Sequence, residues 1–126
     1  MFVNLATRSC SSWSSAQINS ALQLSGDSIV EDMSLPYFDP LMQPAKADEY
    51  LIKIINRAKE RGARIIIVNV GSDDFAVSFF LANKLLAAGI TVVTAFYRTV
   101  FSQKHGQMIV DYEFVQFIEL EREEAK

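Results

Sequence analysis

Apolar residues recur with a different period in each stretch of this chain. Residues 2–6 form a short apolar run that leads into the polar stretch Thr7-Arg8-Ser9-Cys10-Ser11-Ser12. Ser14 and Gln17 have capping-box spacing and Trp13 and Ile18 staple spacing, so a helix is predicted to start there and to close at Ser25-Gly26. Residues 28–35 read as a second strand. From Asp48 onward Tyr50, Leu51, Ile54, Ile55 and Ala58 share one helical face, with Lys53, Arg57 and Lys59 off it and Gly62 at the end. Residues 64–70 are a β-branched run, the pattern of a central parallel strand buried on both faces. Residues 75–88 predict a helix apolar almost all round, needing cover on two sides and ended by Gly89. Residues 90–96 predict another buried strand, 97–108 a connection, and 109–120 an alternating edge strand antiparallel to its neighbour. On that last strand Val110, Tyr112, Phe114, Ile118 and Leu120 are expected on one face, and Asp111, Glu113 and Glu119 on the other.

The order β-α-β-α-β-α-β-β, with right-handed crossovers, predicts one α/β domain over residues 1–126. Its form is a Rossmann-like three-layer sandwich, with a mostly parallel sheet and an antiparallel edge strand. In the common strand order 2-1-3-4-5 the chain reverses direction between the first and third strands, and ligands meet the loops after the strands flanking that point. The residues placed there are Thr7, Arg8 and Ser9 after the first strand, Gly71, Ser72 and Asp73 after the third, and Tyr97 and Arg98 after the fourth. The proline-interrupted stretch 36–46 is expected to be an irregular loop.

Composition narrows the chemistry. With 126 residues, half of them hydrophobic, the chain can bury one sizeable core. Twelve Lys and Arg against fifteen acids give a net charge of −3, without the basic excess that duplex nucleic acid demands. No apolar run is long enough to span a bilayer, and no leader pattern precedes the first strand, so a cytoplasmic protein with no membrane partner is expected. One cysteine excludes an internal disulfide framework. The absence of G-x-G-x-x-G and of a P-loop argues against an ordinary dehydrogenase or NTPase, and no cofactor is expected. Cys10 stands where a phosphatase loop puts its nucleophile, but Ala16 replaces the arginine such a loop requires. One Cys and one His make no structural zinc site, so no metal site is expected.

Arg8, flanked by the hydroxyls of Thr7 and Ser9 at the mouth of a helix, points to phosphate or carboxylate contact; the plainer alternative is a capped helix with a solvated arginine. Arg98 is placed to offer a bidentate fork beside the cleft. Ser72, Asp73 and Asp74 cap the next helix and leave ribose hydroxyls as an alternative ligand. Lys104 and His105 sit in the last connection, where His105 is either a proton shuttle or merely exposed. Tyr37, Phe38 and Tyr97 could stack on a base or anchor loops. Phe79, Phe80, Leu81, Leu85 and Leu86 read as core and subunit interface.

Residues 2–5 with their polar turn, Trp13 and Gln17, Gly71 with an acid and Phe75, the run from Thr94 to Arg98, and Phe114-Val115-Gln116-Phe117 together resemble small CRISPR-associated proteins of Rossmann-like (CARF) fold. That group tends to carry Ser-Asn-His-Pro-Ser at the first turn, where this chain has Ala6-Thr7-Arg8-Ser9, so the family histidine is missing. The resemblance implies binding of a cyclic oligoadenylate messenger by a homodimer in antiviral defence. In the ring nucleases it further implies metal-independent cleavage by the ligand's own 2′-hydroxyl, with a 2′,3′-cyclic phosphate product. Arg8 and Arg98 would then stabilise the phosphate, Thr7 and Ser9 would position it, and His105 would move the proton. A non-catalytic sensor or sponge and a purely structural interaction module are the alternatives.

Overall fold

The protein is described from a computed structural model, which covers residues 1–35, 44–72 and 75–121. Five strands, β1 (Phe2–Ala6), β2 (Val30–Ser34), β3 (Ile67–Gly71), β4 (Thr91–Lys104) and β5 (Gln107–Leu120), form one sheet in the order β2-β1-β3-β4-β5. All pairs are parallel except β4–β5. Three helices, α1 (Ser15–Ser25), α2 (Pro44–Arg61) and α3 (Phe75–Ala87), connect them. This is the Rossmann-like α/β sandwich that the alternation of periods predicts.

Because strand side chains alternate, β1 feeds two cores at once. Val3 and Leu5 join Val68, Val70 and Val92 under α2 and α3, against Ile54, Ala58, Leu81 and Leu85. Phe2 points the other way, into a smaller cluster with Ile67, Val93 and Ala21 of α1. Trp13 and Phe117 close that cluster, with ring centroids 6.2 and 5.2 Å from Phe2. Among the described residues α3 is covered on one side: Leu81 and Leu85 are buried, whereas Phe79 and Phe80 are exposed.

The largest departure from the sequence pattern concerns residues 97–108. They form no connecting loop; β4 and β5 are each fourteen residues long and pair down to Lys104↔Gln107. His105 and Gly106 turn the chain with φ of 53° and 75°, the two positive angles of a type I′ hairpin turn. β4 pairs with β3 at Thr91–Val93, so among the described residues the outer part of the hairpin is a two-stranded ribbon. A bulge interrupts it, since Phe96 faces Gln116 but Tyr97 faces Phe114, which leaves Val115 without an opposite residue. The single alternation expected along β5 is broken there. Phe117, and not Ile118, shares the face of Phe114, and the two rings lie 5.0 Å apart.

Other boundaries differ by a few residues. α2 starts at Pro44, ahead of the amphipathic pattern, and β2 and β3 start later than their apolar runs. Tyr37, Phe38, Asp73, Asp74 and most of the 36–46 stretch lie outside the described residues.

Phe2 is fully buried at the junction of the central strand and the aromatic cluster. Phe2→Ala is expected to cost about 3–5 kcal/mol, through lost transfer energy and the cavity left behind, read as a lowered urea midpoint.

Candidate functional site

Strand register lays the sheet face beneath α1 out in rows. The first, Val30–Phe2–Ile67, is apolar; the second, Asp32–Asn4–Asn69, is polar; the third, Ser34–Ala6–Gly71, is small. The polar row is a directed chain of hydrogen bonds. Asn69 Nδ2 donates to Asn4 Oδ1 at 3.0 Å, and Asn4 Nδ2 donates to Asp32 Oδ1 at 3.0 Å. The negative charge at one end sets the orientation of both amides. Asn69 Oδ1 is left at the far end, buried and without a partner among the described residues.

Asp32 also organises the loop after β1. It accepts from Ser9 Oγ at 2.7 Å, from the Cys10 amide at 2.9 Å and from the Cys10 thiol at 3.4 Å. Burial alone would raise its pKa, but the hydrogen bonds from Asn4, Cys10 and Ser9 outweigh that and hold it below the usual carboxylate range. The Cys10 thiol is pushed up, by burial first and then by its bond to Asp32 and that residue's charge. A thiol that donates to a carboxylate and resists ionisation is a poor nucleophile, which removes the phosphatase reading on physical grounds.

Beyond the polar row the small residues Ala6, Gly71 and Ala95 leave room above the sheet, and a cavity of about 1000 Å³ opens there. A methyl group added at Gly71 would touch the Ala6 Cβ at 3.4 Å. Thr7 continues the strand pairing, its amide donating to the Gly71 carbonyl at 3.1 Å. On the helix side lies the start of α1, where Ser14 Oγ accepts from the Gln17 amide at 3.2 Å. That leaves the Ser15 and Ala16 amides without an intrahelical acceptor, at the positive end of the helix dipole. The reciprocal half of the expected capping box is not made. The Gln17 side chain, almost fully buried, instead exchanges hydrogen bonds with the Tyr97 hydroxyl at 2.8 and 3.1 Å and so ties α1 to β4.

Arg8 is the one Lys or Arg among the described residues that border the cavity, and its guanidinium makes no ion pair or hydrogen bond with them. Its carbonyl is held by Asn4 Nδ2 at 2.9 Å, so the polar row also fixes the backbone that carries the cation. Opposite lie Asp111, Tyr112, Glu113 and Phe114 of β5. Glu113 is neutralised across the ribbon by Arg98 at 2.9 Å.

The structure thus brings Thr7, Arg8, Gly71, Ser72 and Tyr97 to one cavity. Ser9, Arg98, Lys104 and His105 do not border it. Ser9 is turned onto Asp32. Arg98 is paired with Glu113, and its side chain is exposed. Lys104 and His105 are at the tip of the ribbon, because the expected connection is strand. Ser72 has its amide taken by Ser78 Oγ at 3.0 Å, and Asp73 lies outside the described residues. Asp32, Asn4, Asn69 and Gln17 are the components that sequence reasoning did not place in the site. Two asparagines, each two residues from the end of an otherwise apolar central strand, were the available signal. Among the described residues no three His, Cys, Asp or Glu side chains are grouped to hold a metal ion, and no helix is long and apolar enough to cross a membrane. No family model, no curated protein and no solved structure matches the chain.

Asp32→Ala strands four donors at once and is expected to lower stability by about 2–3 kcal/mol near neutral pH. Because the folded-state pKa is depressed, Asp32 contributes fully above its unfolded value and loses that contribution as pH falls through the folded one. The gap between parent and variant urea midpoints should therefore shrink between about pH 6 and pH 3. A gap independent of pH would show that the carboxylate charge does not hold the loop.

Proposed function

We propose that the chain binds a small phosphate-bearing nucleotide of the cyclic oligoadenylate kind, and that it acts by holding this ligand as a sensor or sponge. One observation carries the reading. Arg8, unpaired among the described residues, and the first turn of α1, through Ser14 and Ala16, border one cavity, at the point in the strand order where α/β sheets receive ligands. The cavity volume is at the upper end for small-molecule sites, which suits a ligand larger than a mononucleotide. Tyr97, its hydroxyl tied to Gln17, presents a ring on which a base can stack. The choice of nucleotide class rests on the sequence resemblance to CARF proteins.

Binding is favoured over cleavage because the candidate proton shuttle, His105, is at the ribbon tip and Cys10 is a protonated donor to Asp32. Ring-nuclease chemistry would be left with Arg8 and Thr7 to align a 2′-hydroxyl and stabilise the phosphate. A cytoplasmic role in antiviral signalling follows from the same resemblance and belongs to the same proposal.

Titration calorimetry with cyclic tetra- and hexa-adenylate, followed by chromatography for linear products, tests both parts. Arg8→Ala should weaken binding about 10- to 100-fold and reduce the salt dependence by roughly one ion. Arg98→Ala and His105→Ala should leave affinity within about twofold, a change of only a few tenths of a kcal/mol. Absence of binding to any cyclic oligonucleotide would sink the proposal. Linear products with a 2′,3′-cyclic phosphate, formed in EDTA, would replace sequestration by ring-nuclease activity.

A further inference from the structure

The polar row under α1 has a direction, and that direction decides what the sheet offers a ligand. An ionised carboxylate and a peptide carbonyl can only accept hydrogen bonds. Asn4 Nδ2 meets one of each, Asp32 Oδ1 at 3.0 Å and the Arg8 carbonyl at 2.9 Å. Both protons of that amide are thereby committed, so Asn4 has to turn Oδ1 toward Asn69. Asn69 has to answer with Nδ2, at 3.0 Å, and its own Oδ1 is what remains. Flipping either amide would set oxygen against oxygen somewhere along the row.

The acceptor at the end of the row meets no donor from the sheet. Across β3 the row continues with Val93, whose side chain is apolar. Asn69 is 5% exposed, and its Oδ1 has no partner among the described residues. The next row is made of small residues, and the cavity that opens over it is lined by Asn69 as well as by Ala6, Gly71 and Ala95. Gly71 is not among the glycines with positive φ, so its backbone does not demand a glycine. A Cβ there would lie 3.8 Å from Asn69 Nδ2, so the missing side chain keeps the space beside this amide open. A buried acceptor without a partner, at the floor of a cavity, marks a place where a ligand can supply the missing donor.

We infer that Asn69 is a specificity-determining residue of this cavity, its Oδ1 receiving a hydroxyl or amino group of the ligand whose phosphate is met by Arg8. The inference rests on the reading of the cavity as a nucleotide site and adds to it the polarity of one contact. A ligand that covers this oxygen without donating to it strands a buried acceptor, and one that presents a carbonyl sets oxygen against oxygen. Sites built to hydrogen-bond a substrate group discriminate against the analogue lacking it far more sharply than apolar pockets do. In a nucleotide the same chemistry comes from two sources, the ribose 2′-hydroxyl and the amino group of a base.

Titration calorimetry on three rings of equal size separates these sources. The first is cyclic tetra-adenylate, the second carries hydrogen in place of every 6-amino group, and the third carries fluorine in place of every 2′-hydroxyl. On the parent protein one of the two altered rings should bind about 10- to 100-fold more weakly than cyclic tetra-adenylate, and which one it is names the donor. In Asn69→Ala that difference should shrink to about threefold or less, with the circular dichroism of the parent. Asn69→Ser, which keeps a polar group in the row but withdraws the oxygen from the cavity, should do the same. The comparison on the parent needs no variant, so it decides the donor requirement even if a substitution prevents folding. Equal affinity of all three rings for the parent would overturn the inference, as would a preference that both variants preserve. Either result leaves the nucleotide reading standing, whereas failure of cyclic tetra-adenylate itself to bind overturns that reading and this contact with it.

Discussion

A carboxylate placed in the half-buried face of a sheet has to be satisfied, and in this protein much of the local architecture follows from how Asp32 is satisfied. Its donors come from the neighbouring strand, through Asn4, and from the loop that follows that strand, through Ser9 and Cys10. The first contact joins β2 to β1 through side chains as well as backbone. The second curls the chain into the short 3-10 turn Cys10–Ser12 and brings the start of α1 over the sheet. Asn4 then passes the constraint on in two directions, to the Arg8 carbonyl and to Asn69. One ionised group thus fixes a loop, a helix entry and the orientation of two amides.

The same chain of bonds ends, among the described residues, without a partner for Asn69 Oδ1. A buried acceptor left unpaired costs about 1–3 kcal/mol, and an apolar residue at position 69 would only move that cost to Asn4 Oδ1, which accepts from Asn69. Asn69 sits next to the row of small residues on which the cavity rests. Stability and space are both given up at one place on the sheet, beside the free guanidinium of Arg8. Proteins tend to accept such local costs where they do something with the site.

The parts of the fold that repeat with a clear period were readable from the sequence. The β-branched run before Gly71, the amphipathic pattern of α2 and the glycine that closes α1 with φ of 69° needed no tertiary information. The loops after β1 and β3 could be placed at the cavity because strand order alone brings them together, which is why Thr7, Arg8 and Gly71 were found. The ribbon was not readable. Half its positions are polar, and its turn is His105-Gly106 where Asn-Gly or Asp-Gly would have announced a hairpin. The error carried His105 and Lys104 into the site. Asp32 was missed for a different reason: its importance lies in what converges on it from Ser9 and Cys10, more than twenty residues away in sequence, and no local pattern encodes that.

The extra residue at Val115 has a consequence for how this hairpin can change over time. On the sheet side of the bulge, odd-numbered positions of β5 face α1; on the ribbon side, even-numbered ones do. The two halves of one strand are therefore out of phase, like two combs offset by half a tooth. Substitutions that suit the ribbon face put no demand on the parity that the core needs, and the reverse holds as well. The bulge acts as a clutch between them. It lets the outer segment lengthen, shorten or exchange its surface while Phe117 and Leu120 stay engaged with the body of the domain.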